Sequence, residues 1–181
     1  MAKSNNTLCL DKFYPEKDLM ITDIAQQSDK IIIRMKSTSS SCKCPKCNHI
    51  TQKYHGTYTR KVQDLPILGK QVQLEICSHE YACLNDECEA VSIAETFDGF
   101  LNNYSRMTER CADFICTLAL ETSCEGCARV CRTLGIKTSG DTVIRLLLKR
   151  YESLPKPEVS DVIGVDDFAY KKRHTYGTII V

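Results

Sequence analysis

Polar and apolar residues alternate most cleanly along Gln71-Val72-Gln73-Leu74-Glu75-Ile76, where every second side chain is aliphatic. That period of two predicts a strand with one buried face. The preceding Leu65-Pro66-Ile67-Leu68-Gly69-Lys70 reads as the turn that feeds it. Two shorter apolar runs near the start, Leu19 to Ile24 and Lys30 to Met35, predict two further strands, and the serine run 37–41 ends that piece as a loop. Beyond Asn102 the period changes to that of a helix. Met107, Cys111, Phe114, Ile115 and Leu118 make one stripe, with Thr108 placed to cap its start. Cys124, Cys127, Ala128, Cys131 and Leu134 make a second stripe, which stops at Gly135. Ser139 is placed to cap a third helix that turns Val143, Leu146 and Leu147 inward. Pro155 and Pro157 close the helical block as a linker, after which Val162 to Val165 predicts a buried strand and Thr175 to Val181 another.

The expected fold class is therefore α+β and multi-module. Short strands occupy 1–40, a β-rich cysteine segment 41–98, a helical module 99–154, and a linker with two strands 155–181. The β pattern runs to Val181 without a closing turn, which predicts the front part of a longer protein. No run approaches the length of a membrane span, and Met1 to Asp11 lacks the apolar core of a signal peptide. A cytoplasmic protein is expected.

Cysteine changes the picture. Twelve are present, and in a reducing compartment close-spaced cysteines point to metal rather than to disulfides. Cys44-Pro45-Lys46-Cys47 and Cys83-Leu84-Asn85-Asp86-Glu87-Cys88 are two such pairs in polar surroundings. Two tight loops, each offering two thiolates, can close a tetrahedron around structural zinc, the plan of a zinc ribbon. Cys42 competes with Cys44 as a ligand, and His49, His55 and His79 are weaker alternatives. Cys124, Cys127 and Cys131 have a spacing compatible with an iron–sulfur cluster. Their positions on one helical stripe favour core packing instead, as for the isolated Cys9, Cys77, Cys111 and Cys116.

Charge is uneven. The chain's net +1 conceals seven Lys/Arg against one acid over 36–74 and seven acids without a Lys or Arg over 75–98. Over 99–151 cations again exceed acids, eight to five. The Gly135 turn between two helices matches a helix-turn-helix, whose second helix reads the DNA major groove. Ser139, Thr142 and Arg145 then face bases, while Arg129, Arg132, Lys137, Lys149 and Arg150 serve phosphates. Double-stranded DNA is the expected partner. Exposed strand edges also admit pairing with a second copy, so a homodimer is compatible with this reading.

Taken in order, several motifs resemble the transposases of ISL-three-type insertion sequences. They are the Cys-Pro-x-Cys pair, Arg60-Lys61-Val62-Gln63-Asp64-Leu65-Pro66, the second cysteine pair, the Gly135/Thr142 helical unit and Gly164-Val165-Asp166-Asp167-Phe168-Ala169 followed by Tyr176-Gly177-Thr178. The resemblance implies the first strands of a ribonuclease-H-like catalytic domain, in which an Asp-Asp-Glu set holds two Mg²⁺ ions. Asp166 matches the first acid, with Asp167 the alternative, because neighbours on a strand face opposite ways. No Asp or Glu follows Asp167, so the chain as given is expected to bind element-end DNA but not to cut it. The competing readings are a standalone zinc-containing helix-turn-helix regulator and an iron–sulfur redox protein built on the Cys124 group.

Overall fold

The computed structural model describes residues 18–156, 164–171 and 175–180. It divides into two compact units, one reaching Leu148 and the other covering Lys149–Val181.

The first unit is built on a mixed sheet. Strands β1 (Leu19–Gln26) and β2 (Lys30–Ser37) form an antiparallel hairpin. Two short strands follow, β3 (Cys42–Lys43) and β4 (Ile50–Thr51), paired with each other. Long strands β5 (Tyr54–Ile67) and β6 (Lys70–Tyr81) form a second antiparallel hairpin, and β7 (Ile93–Ala94) pairs with the end of β6. The order is β1-β2-β6-β5, with β2 parallel to β6. The strands of the first forty residues thus share one sheet with those of the cysteine segment. Alternation alone could not reveal this, because it reports which face is buried and not which strand lies alongside.

Register explains the core. Ile33 stands opposite Leu74, and Leu74 opposite Val62, so three fully buried aliphatic side chains form one rung across β2, β6 and β5. Met35 opposite Ile76 forms the next. Phe97, Phe100 and Leu101 cover this face. The β5–β6 turn has only Leu68 and Gly69 between the paired Ile67 and Lys70, with φ of 51° and 75°. Two left-handed residues in a two-residue loop follow the right-handed twist of a hairpin. Pro66, which has no N–H to give, sits at a register shift on the outermost strand.

Three helices follow: α1 (Glu109–Leu120), α2 (Cys124–Thr133) and α3 (Gly140–Ser153). Thr108 caps α1 by accepting the Cys111 N–H, Ser123 caps α2 through the Gly126 N–H, and Ser139 caps α3 through the Thr142 N–H. At the end of α2, the Gly135 N–H reaches the Arg132 carbonyl and the Ile136 N–H reaches that of Cys131. This pair of bonds, with Gly135 at φ 88°, is a Schellman motif. It buries Ile136 in a second core with Cys111, Ile115, Ala119, Cys127, Cys131 and Val143. Phe114 and Leu134, expected on the inner stripes, are partly exposed. The inner line of α1 runs through 111, 115 and 119, which rotates Phe114 to its flank.

In the second unit, β8 (Val165–Lys171) and β9 (Thr175–Ile180) form an antiparallel hairpin. Val162, Ile163 and Pro157 lie outside the described residues. Val165 was expected to be buried but is 69% exposed, since a two-stranded ribbon has no layer of its own to cover either face. Among the described residues no helix is long and apolar enough to cross a membrane.

Leu68 is 96% exposed, so it buries nothing in return for the left-handed conformation that β-carbon sterics oppose. Leu68→Asn should stabilise the chain by about 0.5–1 kcal/mol, read as a raised urea midpoint with an unchanged slope.

Candidate metal centre and helical face

The two cysteine loops are shaped by local backbone chemistry. In the first, which joins β3 to β4, the Asn48 N–H bonds the Cys44 carbonyl and the Cys44 N–H bonds that of His49. Asn48 takes the left-handed conformation, φ 60°, which its residue type tolerates well. In the second, the Asn85 carbonyl accepts the Cys88 N–H and its side chain accepts the Glu87 N–H. The loops are then tied together without metal. The Thr51 hydroxyl donates to the Ala82 carbonyl at 2.8 Å, and the Ala82 N–H donates to Lys53 at 2.8 Å.

The sulfurs of Cys44, Cys47, Cys83 and Cys88 all lie within 4.8 Å of one another. Cys44 Sγ is 3.8 Å from Cys88 Sγ, and Cys47 Sγ is 3.7 Å from Cys83 Sγ. A tetrahedral ion with Zn–S bonds of about 2.3 Å requires sulfurs about 3.8 Å apart, so the cage has the right size for zinc. Cys42 does not join it: its sulfur faces the carbonyls of Lys43 and Ala94. The histidines are outside as well. His49 contributes backbone groups, and His79 Nδ1 lies 3.2 Å from the Ser39 carbonyl. Among the described residues this is the one group of metal-binding side chains so gathered.

The thiols resist joint ionisation. The His49 N–H aimed at Cys47 holds that thiol down to about 6. At Cys83 the Asn85 N–H favours the thiolate, yet burial and the surrounding sulfurs win and push it up to about 12. A divalent cation removes this opposition, which is how binding becomes folding energy. With all four positions taken by thiolates, no site is left for a reacting water, so the zinc this cage fits is structural.

The Cys124 group behaves differently. Cys127 and Cys131 are fully buried, and burial pushes the Cys131 thiol up to about 12. Cys111 beside them is raised to about 11, again chiefly by burial. Among the described residues these sulfurs are not gathered into a metal cage, and inside the helical core Cys127 and Cys131 pack as small hydrophobes.

Of the side chains expected to meet DNA, Arg129, Arg132, Lys137, Ser139, Arg145, Lys149 and Arg150 are exposed and Thr142 is half-buried. Thr142 and Arg145 share one face of α3, with Lys149 further along the same helix. The Ser139 hydroxyl is engaged in the cap. Sequence reading missed what holds this module in place. Gln63 of β5 forks onto Lys137, accepting its N–H at 2.8 Å and donating to its carbonyl at 3.3 Å. Beside it, buried Asp64 accepts the Thr108 hydroxyl at 2.6 Å and pairs with Arg110 through Nε at 2.8 Å and a second nitrogen. A signal was present: Val62 and Asp64 share the buried face of β5, and an acid on an apolar face must find partners.

Asp166 and Asp167 stand opposite Ile179 and Thr178. Asp166 Oδ1 accepts the Asp167 N–H, and Asp167 Oδ1 accepts the Thr178 hydroxyl. Two acids on opposite faces of an exposed ribbon do not make the carboxylate cluster that a magnesium pair needs. The described residues do not fit that group.

A four-cysteine zinc ribbon joined to a helical module is the class of protein that this geometry defines. Residues 40–88 match the zinc-finger of transposase IS204/IS1001/IS1096/IS1165. The chain is also 27% identical over 154 residues to the transposase for insertion sequence element IS1001 of Bordetella parapertussis, covering 82% of this chain and 35% of that protein. It thus spans about a third of the length of this curated relative. No solved structure matches. The matched ribbon is similar to that of these transposases, and most of the chain's length aligns with one of them.

Purified chain should carry close to one zinc. Cys47→Ser and Cys88→Ser should lose it and unfold the ribbon, while Cys42→Ser should keep it. Protons compete with zinc for the sulfurs, so affinity should fall as pH is lowered; elemental analysis across a pH series reads both effects.

Burial alone would raise the Asp64 carboxyl, but Arg110, the Thr108 hydroxyl and the Leu65 N–H together hold it below its ordinary value. A carboxyl lowered on folding stabilises the fold fully above its unfolded value of about 3.9 and loses that contribution as pH falls below it. Asp64→Asn should cost about 2–3 kcal/mol near neutrality. Urea midpoints of this variant should respond less than wild type to acid below pH 4.

Proposed function

We propose that this chain is the DNA-binding portion of an insertion-sequence transposase, with α2 and α3 acting as a helix-turn-helix on element-end duplex DNA. The observation that carries the reading is the exposed face of α3. Its start is fixed by the Ser139 cap and by the Schellman turn before it, and Thr142 and Arg145 project from its first two turns. A recognition helix needs that rigidity at its N-terminal end, where bases are read. The Ser139 and Thr142 hydroxyls meet in the cap at 3.1 Å, and Ser139, Thr142 and Arg145 are the base-reading group. Arg129, Arg132, Lys137, Lys149 and Arg150 are the phosphate contacts. The ribbon is a structural support beside this module.

Asp166 is the acid that corresponds to the opening of a ribonuclease-H-like domain. With only Asp167 beside it, on the opposite face, the chain binds DNA without cleaving or joining it.

Duplex binding followed by fluorescence anisotropy tests the proposal. Affinity for element-end DNA should fall steeply between 50 and 200 mM salt, because bound phosphates release counterions. Arg145→Ala should reduce discrimination between element-end and unrelated duplexes by about 10-fold or more, while Lys149→Ala should weaken both alike. Salt-independent affinity would defeat the proposal. Metal-dependent nicking abolished by Asp166→Ala would overturn its non-catalytic part.

A further inference from the structure

A cleft of about 180 Å³ lies where the sheet meets the helical module. Four cations line it from four separate parts of the chain: Lys30 at the start of β2, Lys61 of β5, Arg106 just before α1, and Lys137 in the turn between α2 and α3. The amides of Gln63, Gln71 and Gln73 complete its polar lining, and no carboxylate contributes to it. Lys30 spends one N–H on Gln73, a neutral partner, at 2.6 Å. Lys61 reaches Glu75 only at 3.9 Å. Among the described residues no acid lies within ion-pair distance of Lys30, Arg106 or Lys137.

Lys30, Arg106 and Lys137, gathered on one cleft without an ion-pair partner, repel one another, and folding gains nothing from that by itself. Elsewhere Arg34 is paired with Asp23 and Glu75, and Lys46 with Glu89. The cleft's mix of lysine, arginine and amide donors suits an anion with several oxygens. The backbone is also held. The Arg106 carbonyl accepts the Gln63 N–H at 2.8 Å, and Gln63 grips Lys137 on the opposite wall. One side chain therefore sets the spacing between a sheet-borne cation pair and the turn that introduces α3.

We propose that this cleft holds the phosphodiester backbone of the duplex next to the base pairs read by α3, with Gln63 as the positioning residue that keeps sheet and helix contacts in register. The inference rests on the DNA-binding reading above and extends its footprint from the helices onto the sheet. Lys30, Lys61 and Arg106 are phosphate contacts outside the helix-turn-helix, and they make affinity rather than sequence choice depend on the sheet.

The test uses the full chain, loaded with zinc, and 20-base-pair duplexes with and without element-end sequence. Lys30→Gln combined with Arg106→Gln should weaken both duplexes about equally, by 10-fold or more. The plot of log affinity against log salt should become shallower by about 0.9 for each lost contact, close to 2 in total. Gln63→Leu removes no charge. It should leave the salt slope nearly unchanged while reducing discrimination between the duplexes, which a purely structural lesion would not do selectively; zinc content and the urea midpoint confirm the fold of each variant. If the double variant keeps wild-type affinity and slope while Arg145→Ala still loses discrimination, the cleft is not a contact and this inference falls, leaving the helix-turn-helix reading intact. Tighter binding to an RNA duplex than to DNA would also overturn it. Absence of salt-dependent binding by the wild-type chain would instead remove the underlying reading.

Discussion

A carboxylate that has left water must be met by donors, and in this molecule that requirement falls on Asp64. It projects from β5 on the same face as Val62, into the apolar side of the sheet. Its partners are the first residues of the helical module, the Thr108 hydroxyl and the Arg110 guanidinium. Thr108 at the same time caps α1. One buried charge therefore fixes where α1 starts and binds that start to the sheet. Leu65, next in sequence, packs into the helical core, and Gln63, the residue before, holds the turn ahead of α3. Three consecutive residues of one strand couple two cores that a strand and a helical bundle would otherwise build independently.

The metal site answers a different problem at the other end of β5 and β6. Its loops carry little apolar surface, and small cysteine-rich pieces seldom bury enough to hold themselves. Thr51 and the Lys53–Ala82 bond bring the loops together, but the thiols gathered there oppose each other's ionisation. Zinc converts that repulsion into cohesion. The ribbon thus depends on a cation and on thiol chemistry, whereas the sheet–helix joint depends on a carboxylate and hydrogen bonds. Acid weakens both, by protonating thiolates in one case and Asp64 in the other.

Topology redistributes the charge. Read along the chain, a basic segment precedes an acidic one, as if each had its own partner. In space β5 and β6 are antiparallel neighbours, and Lys61 stands directly opposite Glu75. Arg34 reaches the same Glu75 from β2, and Lys46 of one cysteine loop meets Glu89 of the other. Part of the apparent asymmetry is cancelled by these pairs. Lys30, Arg106 and Lys137, distant in sequence, meet in the cleft between sheet and helices, whose lining holds no acid.

Local chemistry was legible in the sequence by itself. The alternation of 71–76, the helix caps at Thr108 and Ser139, the Gly135 stop and the two cysteine pairs each state a constraint that operates within a few residues. The spacing of the pairs made zinc the natural occupant before any distance was known. It could not decide between Cys42 and Cys44, since that choice depends on which sulfur the β3–β4 loop turns toward Cys88. Nor could it show that β2 runs parallel to β6, that Phe114 lies on the flank of α1, or that Lys30 and Lys137 line one cleft. Those facts follow from long-range pairing, which no local period encodes. Asp64 lies between the two cases: its place on an apolar face shows in the sequence that a partner must exist, and only the fold supplies Arg110 and Thr108, because a buried charge dictates the need for donors but not their address.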